Sequence, residues 1–113
     1  MLEDYAQVVA TRQVFVAVRD ESIVGALVLA VAGEGFLLEN IAVDPRCQGL
    51  GIGRALLELA ETEATRRGYD SIYLYTNEKM TENLALYARL GYRAYTRRTE
   101  NGYARVYLSK ALT

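Results

Sequence analysis

Residues 37–67 read LLENIAVDPRCQGLGIGRALLELAETEATRR, an apolar strand that runs through Asp44-Pro45 into a glycine-rich turn and then into an amphipathic helix. Gly49, Gly51 and Gly53 alternate with Leu50 and Ile52 just ahead of a helical spacing of Ala55, Leu56, Leu59, Ala60 and Ala64. A residue without Cβ reaches positive φ at little cost and lets the backbone approach a ligand closely. The first N–H groups of a helix lack intrahelical partners and sit at the positive end of its dipole, so this junction is suited to a phosphate-bearing ligand.

Two familiar phosphate loops do not fit. The dinucleotide fingerprint G-x-G-x-x-G/A begun at Gly49 would need Gly or Ala where Arg54 stands, and begun at Gly51 it would need one at Leu56. A P-loop needs Gly-Lys-Ser/Thr, and no Lys follows any of these glycines. The segment Gln48-Gly49-Leu50-Gly51-Ile52-Gly53 instead resembles the Q/R-x-x-G-x-G/A signature of the GCN5-related N-acetyltransferases (GNAT), and Ile41-Ala42-Val43-Asp44-Pro45 is similar to the end of that family's fourth strand. Asn83-Leu84-Ala85-Leu86-Tyr87 followed by Gly91-Tyr92 resembles the family's N-x-x-x-Y…G-F/Y element. Both elements stand in the family's order, and the resemblance covers about residues 14 to 112.

Composition narrows the chemistry independently. At 113 residues the chain is expected to form one domain, 1–113. Thirteen Lys plus Arg against fourteen Asp plus Glu give a net charge of −1 with no basic run, so no nucleic-acid partner is expected. The longest apolar run, Ile23 to Ala32, is about half of the roughly 20 residues of a membrane span. The acidic start, MLEDYAQ, is unlike a secretory signal, so a cytoplasmic location without membrane attachment is expected. Without any His, Ser-His-Asp hydrolysis, HExxH zinc chemistry and every His-ligated metal are excluded. The single Cys47 can form neither an internal disulfide nor a multi-thiolate site, and no metal is expected.

Taken in order, residues 2 to 12 carry a helical spacing of Leu2, Tyr5, Ala6, Val9 and Ala10. Three strands follow, 14 to 18, 23 to 31 and 36 to 43, joined by Asp20-Glu21-Ser22 and Gly33-Glu34-Gly35 into an antiparallel meander. The glycine turn leads into a helix ending near Arg67 with Gly68 as its C′ residue. The strand 71 to 76, reached through this crossover, should run parallel to 36 to 43. Thr81 is the expected N-cap of a helix over about 82 to 90, closed by Gly91. Strands over about 92 to 98 and 103 to 109 are joined through the hairpin dipeptide Asn101-Gly102. The fold class expected from this order and the resemblance is α/β (α+β), a GNAT-like mixed, mainly antiparallel sheet with helices on both faces, expected to be shortened at its N-terminus relative to the family.

The resemblance implies acetyl-CoA as cosubstrate and an amine, on a small molecule or a peptide, as acceptor. It implies that the backbone of Ile41, Ala42 and Val43 binds the pantetheine arm between splayed strands, with the Val43 N–H toward the oxyanion. The pyrophosphate is implied to meet N–H groups from Gln48 through Gly49, Leu50, Gly51, Ile52 and Gly53 to Arg54. Asn83 and Tyr87, four apart on one helix face, are implied as cofactor contact and as the acid that protonates the leaving thiolate. Glu39, the one acid in strand 36 to 43, is the candidate base, and simple alternation places it on the face of Ile41 and Val43. Solvent exposure or binding of a cationic substrate accounts for it equally well. Tyr73, Tyr75 and Asn77 share a strand face near the site. The alternative is a non-catalytic acyl-CoA-binding sensor or scaffold domain. The strand 14 to 18 presents an edge without Lys or Pro before Arg19, so a homodimer is expected.

Overall fold

The computed structural model describes residues 12–33 and 35–112. The helix expected over residues 2 to 12 lies, apart from Arg12, outside the described residues. Among the described residues six strands form one sheet: β1 (Gln13–Arg19), β2 (Ser22–Ala32), β3 (Gly35–Val43), β4 (Ser71–Asn77), β5 (Arg93–Glu100) and β6 (Tyr103–Ala111). Two α-helices are described, α1 (Ile52–Arg66) and α2 (Thr81–Arg89). The spatial order is β1-β2-β3-β4-β6-β5, with β3 and β4 parallel and every other pair antiparallel.

Local chemistry explains where these elements begin and end. The β1–β2 turn places Asp20 and Glu21 at φ 51° and 67°, and the β5–β6 turn places Asn101 and Gly102 at 53° and 80°. Two successive left-handed residues match the twist of a tight hairpin. Both helices end in the same way. Gly68 at φ 89° donates to the Thr65 carbonyl while Tyr69 N–H reaches Ala64, and Gly91 at φ 97° donates to Ala88 while Tyr92 N–H reaches Tyr87. These are Schellman closures, and each is backed by a ring contact: Tyr69 lies 5.3 Å from Phe36 and Tyr92 lies 5.7 Å from Tyr87. At the start of α2 the N-cap is Met80, not Thr81, and no side chain caps it. Asn77 takes over the turn, accepting from the Lys79 N–H on its side chain and from the Met80 N–H on its carbonyl, both at 2.9 Å.

Leu27, Leu29, Phe36, Leu38, Ile72, Leu74, Val106 and Leu108 are buried from the sheet against Leu56, Leu57, Ala60 and Ala64 of α1 and Tyr87 of α2. Both described helices therefore pack on one face. A smaller cluster of Leu37, Tyr73 and Tyr107 is buried on the other. Among the described residues no helix is long and apolar enough to cross a membrane.

One irregularity shapes the site. Leu29 pairs with Leu38 while Val28 pairs with Asn40, so Glu39 is an extra residue in β3, a β-bulge. Phe36 and Leu38 thereby share the inner face with Ile41 and Val43. Glu39 does not follow Ile41 and Val43 by alternation as expected, because the inserted residue changes the count. Beyond the single registered pair Leu37↔Tyr73, β3 and β4 diverge.

Candidate active site

The divergence of β3 from β4 leaves a cleft of about 150 Å³ lined by Glu39, Asn40, Tyr75, Thr76, Asn83 and Tyr87 with Leu38, Ile41 and Leu74. On the helical side a groove of about 670 Å³ runs from Ile41 and Val43 past the glycine turn to α2. Asn83 and Tyr87 line both spaces, so one turn of α2 forms the wall between them. A larger concavity of about 820 Å³ lies elsewhere, between α1 and the end of β6, and shares none of these residues.

The glycine turn has the geometry its sequence implies. Gly49 and Gly51 stand at φ 86° and 83°, and a Cβ at either would meet no protein atom within 4 Å. Backbone strain disfavours a side chain there, while the space itself stays open for a ligand. Gly51 is the N-cap of α1, no side chain caps it, and the first helical bond runs from Ala55 N–H to the Gly51 carbonyl at 3.0 Å. The N–H groups of Ile52, Gly53 and Arg54 are thus left without intrahelical partners. The Gln48 N–H is turned instead toward the Pro45 carbonyl at 3.5 Å. Among the described residues the groove lining carries two cations, Arg54 and Arg89, and no carboxylate, which suits an anionic ligand.

The approach to this turn is fixed at Asp44. Its N–H donates to the Val24 carbonyl at 2.8 Å, and its carboxylate accepts from the Arg46 N–H at 2.9 Å. Hydrogen bonds from the Arg46 side chain, and then from its backbone, hold the Asp44 carboxyl below the usual carboxylate range.

Of the residues expected at the site, Ile41, Val43, Gln48, Gly49, Gly51, Ile52, Gly53, Arg54, Asn83 and Tyr87 line the groove. Ala42 and Leu50 do not. Ala42 is exposed on β3, and Leu50 is 56% exposed. Tyr87 is buried, and burial raises its phenol above the ordinary value near 10. Among the described residues Glu39 is the only carboxylate that lines the cleft. Arg12 grips it with two hydrogen bonds, Nε to Oε1 at 2.7 Å and Nη2 to Oε2 at 2.6 Å. Tyr75 reaches the cleft, whereas Tyr73 is buried against Leu37 and Tyr107. Cys47, Leu57, Leu86, Arg89 and Leu90 also line the groove and were not anticipated. The helical spacing from Asn83 through Leu86 and Tyr87 to Leu90 was the available signal. Among the described residues no three His, Cys, Asp or Glu side chains gather as a metal site.

The sequence profile of the acetyltransferase (GNAT) domain matches residues 10–94, and the chain belongs to that family. It is 42% identical over 59 residues to the [ribosomal protein bS18]-alanine N-acetyltransferase of Escherichia coli, covering 52% of this chain and 40% of that protein. It is 38% identical over 60 residues to the mycothiol acetyltransferase of Geodermatophilus obscurus, covering 53% and 18% respectively. The matched stretch thus spans less than half the length of either relative. A GNAT family acetyltransferase from Elizabethkingia anophelis, solved with acetyl-CoA bound, superposes with TM-score 0.85 at 25% identity, covering 99% of this chain and 84% of that one. The Escherichia coli ribosomal-protein-S18-alanine N-acetyltransferase shares the fold with TM-score 0.80 at 24% identity, covering 100% and 77%.

Proposed function

We propose that the chain is an acetyl-CoA-dependent N-acetyltransferase acting in the cytoplasm on a primary amine of a small molecule or peptide, by direct attack in a ternary complex. The observation that carries this reading is the position of Tyr87, which borders both the groove at the glycine turn and the cleft between β3 and β4. The pyrophosphate lies at the open N–H groups of Ile52, Gly53 and Arg54, with Arg54 and Arg89 nearby. The pantetheine arm lies along Ile41 to Val43, and the Val43 N–H supports the oxyanion.

The amine enters by the cleft, and its nitrogen attacks the thioester carbonyl. As the tetrahedral adduct collapses, the carbon–sulfur bond breaks, and the thiolate takes the Tyr87 phenolic proton while the amine's proton leaves through water. A phenol near 10 giving up a proton to a thiolate near 8.5 is uphill by about 2 kcal/mol, and burial of Tyr87 widens the gap. The proton therefore moves in step with bond cleavage, and the phenolate regains one from solvent. Burial keeps Tyr87 protonated across the working pH range. Glu39 receives the amine proton through water only after its pairing with Arg12 opens.

That ion pair favours one competing reading, an acyl-CoA-binding domain without catalysis, in which Glu39 serves only as an anchor for Arg12. Thiol release from acetyl-CoA over a panel of polyamines, aminoglycosides, amino acids and peptide amino termini separates the two. A thermal shift with acetyl-CoA but not NAD is expected under both, and release above background only under the first. Tyr87→Phe is expected to lower turnover with acetyl-CoA affinity nearly unchanged. We also assign the protein a homodimeric state through β1.

A further inference from the structure

Further along α1 from the glycine turn, Glu61 accepts two donors. Tyr92 Oη lies 3.0 Å from its Oε2, and Lys110 Nζ lies 3.1 Å from Oε1 and 3.2 Å from Oε2. Lys110 also sits 5.7 Å above the Tyr92 ring, and its Cε is 3.2 Å from where a Cβ on Gly91 would stand. Tyr92 is only 2% exposed, and burial followed by the Glu61 charge pushes its phenol far above its ordinary value, so it stays a donor at any working pH. The same Tyr92 closes α2: its N–H donates to the Tyr87 carbonyl at 2.9 Å, and its ring meets the Tyr87 ring at 65° with centroids 5.7 Å apart.

Resting on the acetyltransferase reading, we propose that Glu61 is a positioning residue for Tyr87. Glu61 holds Tyr92 and Lys110, Tyr92 holds the last turn of α2, and that turn presents Tyr87 to the cleft. The need is physical. α2 has nine residues, short for an isolated helix, and Tyr87 is its only buried residue, so its own packing holds it weakly. The closing hydrogen bonds and the carboxylate link to α1 and β6 supply what the helix lacks.

The test uses the full chain and two readouts. Glu61→Ala and Tyr92→Phe are each expected to lower protection of the Leu90, Gly91 and Tyr92 amides about tenfold in hydrogen exchange, with the amides of α1 unchanged. Both should lower kcat about tenfold with the KM for acceptor held, because a small misplacement of the acid is costly. Glu61→Gln, which keeps an acceptor oxygen for Tyr92, should restore most of both. In a Tyr87→Phe background Glu61→Ala should have no further effect on kcat. Unchanged amide protection in whichever variant folds overturns the proposal, as does an equal kcat loss in the Tyr87→Phe background. Failure of the acetyltransferase reading shows separately, as absent thiol release by the unmodified protein, and the exchange measurement still decides whether Glu61 fixes the end of α2.

Discussion

A Cβ placed on Gly25 would stand 3.1 Å from Cγ2 of Ile52, the first residue of α1. It would also lie 3.1 Å from Cδ1 of Leu56 and 3.3 Å from the Ala42 carbonyl oxygen. The glycine within β2 thus sets how closely the start of α1 approaches the sheet, and with it the height of the glycine turn over β3.

Gly25→Ala should therefore destabilise. Overpacking costs about 1–3 kcal/mol, partly offset by about 0.4–1 kcal/mol from a less flexible unfolded chain. A net loss near 1 kcal/mol is expected in urea unfolding, together with weaker acetyl-CoA binding by titration. Unchanged stability with unchanged affinity would show that α1 is free to shift.

The glycines of the turn should respond differently from one another. Gly51 is left-handed with open space at its Cβ, so Gly51→Ala should cost about 1–2 kcal/mol through backbone strain alone. Gly51→Glu should in addition abolish acetyl-CoA binding by placing charge against the pyrophosphate. Gly53 is helical, and its Cβ would meet Val43 at an ordinary 3.5 Å. Gly53→Ala should then stabilise the fold by about 0.5–1 kcal/mol. Thermal melts of the three variants with and without acetyl-CoA check this order.

Much of this arrangement was legible in the residues. Gly68 and Gly91 ended their helices because only glycine takes the left-handed C′ position cheaply, and Asn101-Gly102 turned its hairpin for the same reason. The parallel pairing of β3 with β4 followed from the helical crossover. The bulge at Glu39 was not legible: alternation assumes one residue per step, and nothing in Leu38-Glu39-Asn40 marks which residue is extra. Met80 displaced Thr81 as N-cap because Asn77 had already satisfied the entering turn. Arg12 beside Glu39, and Glu61 beside Tyr92, are separated by 27 and 31 residues, a distance no local pattern spans.

Tyr92 also makes a prediction about pH. Its phenol is raised in the folded protein, so below pH 10 both states hold the proton and its contribution is constant. Above pH 10 the unfolded chain releases a proton that the folded protein keeps, and stability falls. The slope is about 1.4 kcal/mol per pH unit for one proton. Urea unfolding between pH 10 and 11.5 should show the unmodified protein losing stability more steeply than Tyr92→Phe by that amount. Equal slopes would mean that Tyr92 ionises freely in the folded state.

The last prediction concerns β1, which pairs only with β2 among the described strands. Phe15 and Ala17 turn inward to the core, while Val14, Val16 and Val18 are 62%, 50% and 61% exposed. No Lys or Pro stands between Gln13 and Val18 to discourage strand addition. The opposite edge, β5, carries Arg93, Arg97, Arg98 and Glu100 and is better guarded by charge. Association should therefore proceed through β1, with two copies extending one sheet and covering each other's valines. Light scattering coupled to gel filtration at micromolar concentration should give twice the chain mass. Val16→Lys, at an exposed position where folding tolerates the change, should return the mass of one chain with circular dichroism unaltered. A one-chain mass for the unmodified protein across the accessible concentration range rules the dimer out, and a dimer that survives Val16→Lys moves the contact away from β1.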